Sequence, residues 1–305
     1  MLPSDDALGL QGCPILQQRS VRVMGEAGGG AAGVLKLDML AAEVPVALVF
    51  NGISHAVMMA TPQNLEAFAL GFALSEGIVD DASDVRGIDV SHVAAVEADL
   101  PTGVDAVEVR LEVSSRSFER LKHQRRRMSG RTGCGVCGVE SLTALDLHCN
   151  RLPLQPWIAR VDLKTVSEAV AALPGWQTLH AACGAMHAAG WVSLRHHTGE
   201  ITHVMEDIGR HNALDKLLGT LARTGQLRDP GFVLMSSRAS HELVRKCARV
   251  GVAALATVSA PTAMGVHLAE LAGLRLWGGC RPPRATLYVS GLSLDLQQQG
   301  VPLSV

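Results

Sequence analysis

Two apolar, strand-forming runs, Val44–Phe50 and residues 53–59, are joined by Asn51-Gly52. That dipeptide adopts the positive φ values of a type I′ turn readily, so the pattern predicts a β-hairpin. Thr61-Pro62 then offers an N-cap and a first-turn proline, and Leu65, Phe68, Ala69, Phe72 and Ala73 recur at helical spacing until Gly77. This predicts a helix with one apolar face packed on the hairpin. Val107, Val109, Leu111 and Val113 alternate with Glu108, Arg110 and Glu112, the pattern of a half-exposed strand. Upstream, residues 1–20 carry no periodicity and are expected to form a loose arm. Residues 21–24 read as a short strand, and the glycine-rich stretch 25–33 as a hairpin tip. It lacks the Gly-Lys-Ser/Thr ending of a phosphate loop.

The second half has a different grammar. Residues 163–173 predict a helix that stops at Pro174-Gly175, and a short helix or strand surrounds His187-Ala188-Ala189. Residues 201–205 predict a strand, and Gly209-Arg210-His211-Asn212 opens an amphipathic helix through Leu214, Leu217, Leu218 and Leu221. A regular alternation follows: strand 232–235, helix 240–250, strand 252–258, helix 262–272, strand 274–277. This β-α-β-α-β order implies parallel strands with right-handed crossovers. Ser236-Ser237-Arg238, Ser259-Ala260-Pro261-Thr262 and Gly278-Gly279-Cys280-Arg281 then fall at strand carboxyl ends, where open α/β sheets bind ligands. Hydroxyls, helix N-termini and arginines at one edge suit a nucleotide-like, phosphate-bearing ligand. Ser240 and Thr262 also suit plain helix capping, and His187 and His211, taken singly, suit structural hydrogen bonding.

The predicted class is α/β with an α+β N-terminal part. Residues 1–20 form the arm and 21–152 a small sheet-plus-helix domain. Pro153 and Pro156 then open an α/β domain over 153–305. Composition agrees: over 305 residues, 48% hydrophobic and 18% charged content describe a globular chain, and 3% aromatics leave the core to Leu, Val, Ala and Met. A formal net charge of -2 gives no global reason to expect nucleic acid as a partner. The acidic start Met1-Leu2-Pro3-Ser4-Asp5-Asp6 lacks signal-peptide order, and no apolar run reaches the roughly 18 residues of a membrane helix. Seven scattered cysteines are therefore expected to be reduced thiols of a cytoplasmic protein.

Two of those thiols carry the candidate chemistry. Cys134 and Cys137 stand in Arg131-Thr132-Gly133-Cys134-Gly135-Val136-Cys137-Gly138, after the basic residues Arg120, Lys122, His123, Arg125, Arg126 and Arg127. Flanking glycines let the backbone approach another molecule closely, and nearby arginines favour the nucleophilic thiolate. The pattern points to sulfur chemistry on an anionic partner. Zinc ligation completed by His148 and Cys149 stays open, although no second Cys-x-x-Cys exists; a thioredoxin-like pair fits the polar, basic upstream segment poorly. A zinc nucleobase deaminase would need His-x-Glu ahead of its cysteines. Here Ala189 stands where that Glu belongs, and the cysteines come first.

Several motifs in order resemble the FdhD family, the sulfurtransferase accessory proteins of formate dehydrogenase. They are Pro45 to Gly52, Met59-Ala60-Thr61-Pro62, Leu70 to Gly77, Cys134 to Gly138, His187-Ala188-Ala189, Glu206 to Lys216 and Ser259 to Thr262. The resemblance implies a cytidine-deaminase-like three-layer core without a resident metal. It implies that a cysteine desulfurase loads a persulfide onto Cys134, with Cys137 as exchange partner. The sulfur would pass to molybdenum or tungsten held by two molybdopterin guanine dinucleotides, and the cofactor to apo formate dehydrogenase. The cofactor, a bound substrate here, would meet Gly279, Cys280, Arg281, Pro282, Pro283 and Arg284, together with Arg238, His187 and His211. Family members carry an aromatic residue where Gly279 stands and glycines where Pro282-Pro283 stand, and a Thr-Gly-Gly where Ala182 to Met186 lies. Two other readings compete: a cofactor-binding chaperone whose cysteines are structural or zinc-bound, and a disulfide oxidoreductase. A two-dinucleotide cofactor would suit a symmetric homodimer.

Overall fold

The computed structural model describes residues 13–24, 33–95, 97–101, 104–126, 149–195 and 199–291. Cys134, Cys137 and His148 lie outside the described residues, as does most of the glycine-rich tip. Strands β1 (Leu16–Val23) and β2 (Val34–Ala41) pair antiparallel as a two-stranded ribbon. The expected loose arm therefore gives way to strand by Leu16. Its root is pinned because Cys13 and Ile15 are buried and the Ala42 N–H donates to the Ile15 carbonyl at 2.8 Å.

A four-stranded sheet follows, in the order β4-β3-β6-β5. It consists of β3 (Val44–Phe50), β4 (Ile53–Ala60), β5 (Val85–Val93) and β6 (Ala106–Val113). The predicted hairpin is present, with φ of 46° at Asn51 and 80° at Gly52, as a type I′ turn requires. Helix α1 (Leu65–Ser75) covers the sheet, and Phe68 and Phe72 pack among Val46, Leu48, Phe50, Val109 and Leu111. Its start differs from expectation. Asn64, with φ of 54°, holds the N-cap position, while Thr61 is fully buried and its hydroxyl accepts from the Ile208 N–H at 3.3 Å. A tertiary contact has taken the side chain that local rules assign to capping. Helix α2 (Ser115–Arg126) leaves β6 with the first part of the basic run.

The second sheet has six strands in the order β12-β11-β10-β9-β7-β8. They are β7 (His187–Ser193), β8 (Glu200–Asp207), β9 (Gly231–Met235), β10 (Ala254–Thr257), β11 (Arg275–Arg281) and β12 (Arg284–Val289). As predicted, β9, β10 and β11 run parallel. The short helix α4 (Thr178–Cys183) precedes β7. Alternation along β9 builds three layers. Val233 and Met235 pack with α5 (Arg210–Arg223), α6 (His241–Arg249) and α7 (Ala263–Ala272), whereas Phe232 and Leu234 pack with α3 (Leu163–Ala172). This is a three-layer α/β/α arrangement. No described helix is long and apolar enough to cross a membrane.

A seam between α1 and α5 joins the two halves. A Cβ on Gly71 would overlap the Asp215 carbonyl, and one on Gly219 would overlap the Ala67 carbonyl, so only glycines allow this crossing. Two buried charge networks flank it. Asp207 accepts from the Thr61 N–H at 3.1 Å and the Gly209 N–H at 2.8 Å, and pairs with Lys216 at 2.7 Å, both side chains being 0% exposed. Lys246 reaches Asp215 at 2.8 Å and Glu76 at 2.9 Å and donates to Ser75, whose hydroxyl donates to Asp215 at 2.7 Å. Burial opposes the charge on Lys246, but Asp215 and Glu76 outweigh it and raise its pKa. Buried ions are tolerated where partners saturate them in this way.

Candidate functional site

The six-stranded sheet presents one edge at which functional side chains converge. β7 and β8 run antiparallel to each other, with His187 opposite Asp207, and β7 runs antiparallel to β9, with Ala189 opposite Met235. The first residue of β7 therefore stands beside the last residues of β8 and β9. Ser236 fastens this corner: its hydroxyl accepts from the Ala188 N–H at 2.9 Å, and its own N–H donates to the Ala188 carbonyl at 3.0 Å.

Above the corner sit the N-termini of α5 and α6. Gly209 takes the N-cap of α5 without any side-chain cap, so the positive end of a 14-residue helix is directed to this edge. His211 Nε2 donates to Glu242 Oε2 at 3.2 Å, the Ser240 hydroxyl donates to the same carboxylate at 2.9 Å, and Arg210 stands 4.0 Å from it. The His211 hydrogen bond is the main reason that the Glu242 pKa is lowered to about 2. His187 is half-buried and its pKa is lowered, first by burial and then by the nearby charges of Arg210 and His180. It is thus a neutral imidazole at neutral pH, able to donate or accept. Glu206 holds α4 beside it by accepting from the backbone N–H groups of Leu179 and His180 at 2.9 and 2.8 Å.

The structure thus brings His187 and His211 together with Arg210, and sets Arg238 just beyond β9, exposed at the same edge. The 278–284 segment differs in shape from a loop at a strand end. β11 runs through to Arg281, turns at Pro282-Pro283 and returns as β12, with Arg281 paired to Arg284. Glycines make this continuation feasible: a Cβ on Gly278 would stand 2.6 Å from Pro261 Cδ, and Gly279 has φ of 60° while donating its N–H to the Ser259 carbonyl at 3.1 Å. Cys280 points into the core at 1% exposure, where burial raises its pKa to about 11, so its thiol is a packing group and only its backbone faces this turn. Arg281, Pro282, Pro283 and Arg284 are exposed. β11 lies three strand positions from β7, about 14 Å at the usual spacing.

Sequence reasoning had no hold on Glu242, whose place in the first turn of α6 reads as ordinary helix-start acidity. Only the fold reveals that it orients His211. Thr262, by contrast, caps α7 as its position suggests, its hydroxyl accepting from the Gly265 N–H at 3.1 Å. Chemically the edge offers two imidazoles, two arginines and a helix N-terminus, with the carboxylates of Glu206, Asp207 and Glu242 each engaged in internal hydrogen bonds, a combination suited to binding phosphate-rich anions.

Comparison with known proteins bears on this arrangement. The FdhD/NarQ family matches residues 41–293. Sulfur carrier protein FdhD of Burkholderia mallei is 51% identical over 252 residues, spanning 83% of this chain and 89% of that protein. The protein of the same name from Chromobacterium violaceum is 50% identical over 244 residues, spanning 80% of this chain and 86% of its own. The fold is similar to a crystal structure from Desulfotalea psychrophila, described as a candidate formate dehydrogenase accessory protein. The TM-score is 0.63 at 20% identity, covering 90% of this chain and 97% of the other.

Proposed function

The chain belongs to the FdhD/NarQ family, and from that membership we propose a sulfur carrier that loads persulfide sulfur on Cys134 and delivers it to a molybdopterin guanine dinucleotide cofactor. The observation that carries this reading is the half-identity, over most of the chain, to proteins named sulfur carrier protein FdhD. The paired thiols of Cys134 and Cys137 supply the chemistry. In the loading step the Cys134 thiolate attacks the outer sulfur of a cysteine desulfurase persulfide. One S–S bond forms on Cys134 as the desulfurase leaves as its thiolate. In delivery, the Cys137 thiolate attacks the inner sulfur of the Cys134 persulfide. A Cys134–Cys137 disulfide forms, and hydrosulfide leaves to become a ligand of the molybdenum or tungsten. A cellular dithiol then reduces the disulfide and resets the carrier.

The carboxyl edge of the six-stranded sheet is the proposed cofactor cradle. Arg238, Arg281 and Arg284 neutralise pyrophosphate charge, His211 is fixed by Glu242, and neutral His187 hydrogen-bonds the polar pterin or phosphate groups. Gly279 and the Pro282-Pro283 turn set the distance between the arginines and the sheet. Apo formate dehydrogenase receives the sulfurated cofactor, and the relay runs in the cytoplasm, whose reducing poise keeps carrier thiols available.

Complementation tests the reading. In a host lacking this chain, Cys134→Ala should leave formate dehydrogenase polypeptide at normal abundance and its activity at background. Activity close to wild type would refute sulfur delivery through Cys134 and favour a cofactor-binding chaperone.

A further inference from the structure

At the root of the ribbon, three chemically different ligand groups meet. Cys13 precedes β1, His92 lies in β5 and Asp105 immediately precedes β6, and one donor atom of each lies within 4.8 Å of both others. His92 Nε2 stands 3.4 Å from Asp105 Oδ1. Two metal bonds of about 2.0–2.1 Å meeting at the tetrahedral angle separate their donor atoms by about 3.3–3.4 Å, so this spacing is one edge of a zinc tetrahedron. A His–Asp hydrogen bond alone would account for two of the groups, but it gives no reason for a buried thiol to face the same carboxylate.

We propose that Cys13, His92 and Asp105 bind a divalent transition-metal ion, Zn2+ by preference, as a three-ligand site whose fourth position opens to solvent. Thiolate, imidazole and one carboxylate together match zinc and its neighbours rather than magnesium or calcium, which require oxygen donors. The arrangement has a protein-side rationale as well. Cys13 is 2% exposed and belongs to the core of the four-stranded sheet, so its sulfur is held in place, whereas His92 and Asp105 are partly exposed and give an ion a way in. Burial, and then the Asp105 carboxylate, raise the Cys13 pKa; a bound dication reverses that preference and expels the thiol proton.

Cys13 lies ahead of the family-matched residues 41–293, while His92 and Asp105 lie within them. The effect of a bound ion would be to staple the root of the β1–β2 ribbon to the β5–β6 end of the sheet.

Cobalt titration of the full-length chain tests this. Cys134→Ser and Cys137→Ser are introduced first to remove the competing thiols, and bound metal is stripped with a chelator. Co2+ should then bind as a single ion with intense visible bands and a thiolate-to-cobalt charge-transfer band, all displaced by Zn2+. Adding Cys13→Val should abolish the charge-transfer band, and His92→Ala or Asp105→Asn should weaken binding at least tenfold. Absence of the bands with Cys13 present, or their survival in Cys13→Val, overturns the proposal. Should Cys13→Val fail to fold, unchanged affinity in the surface variant Asp105→Asn overturns it equally.

Discussion

One stretch of chain, Glu206 to Lys216, belongs to two regions built on opposite principles. Toward the seam it sends Asp207, Asn212, Asp215 and Lys216, all buried, each tied to a residue of the N-terminal half or to its neighbour across the pair. Toward the carboxyl edge it sends Arg210 and His211, partly exposed and facing Glu242. The seam uses charge to fix one packing arrangement, since every buried ion there has its partner. The edge keeps cationic groups only partly neutralised, which leaves them available to an anion. A motif shared across a family can thus hold the architecture and the binding site side by side, and geometry decides which residue does which.

The contrast breaks most sharply at the seam. Gly71→Val would force α1 and α5 apart and Lys246→Met would strand two carboxylates, so each should cost about 3–5 kcal/mol. Calorimetry should show a melting point lower by on the order of 10 °C, with apparent loss of every activity at once. At the edge the pattern should invert. Arg210→Ala should leave the melting point within about 2 °C, yet weaken binding of a guanine dinucleotide roughly tenfold to a hundredfold, as loss of one charge-assisted hydrogen bond does. Isothermal titration would show it, and a large melting-point change would mean that Arg210 belongs to the architecture.

The smallest effect concerns pH. Glu242 has a folded-state pKa of about 2, below its unfolded value, and His187 is likewise lowered. In both windows the folded state binds fewer protons than the unfolded chain, so stability must fall as pH falls. His187 contributes below about pH 6.5, and Glu242 from about pH 4.5 down to about pH 2. His211→Ala should flatten the acid limb of a urea-stability profile, and an unchanged limb would remove the His211–Glu242 bond from the account.

Part of the second half was legible because strands such as Gly231–Met235 are short and apolar and helices such as that after Thr262 are capped. The Asn51-Gly52 hairpin was legible because its turn chemistry is local. What escaped was set by tertiary contact. Thr61 looks like a cap by spacing, but its hydroxyl and backbone serve Ile208, Asp207 and Lys216 across the seam. The β1–β2 ribbon was legible only as the short strand at residues 21–24; the first half of β1 and all of β2 escaped because much of the ribbon is exposed, so its residues sort into no buried and exposed faces; Leu35 and Leu37 are 65% and 68% exposed. In the site, His187 and His211 were visible as residues, whereas Glu242 and the inward turn of Cys280 follow only from strand order and helix placement. The Cys134 and Cys137 pair was legible from sequence alone, and its surroundings lie outside the described residues.

The most direct test of the sulfur-carrier reading is the intact mass of the chain after incubation with a cysteine desulfurase and cysteine. Wild type should gain one sulfur atom that a thiol reductant removes, and Cys134→Ala should gain none. An unchanged wild-type mass, or an equal gain in Cys134→Ala, would contradict the assignment of the persulfide to Cys134.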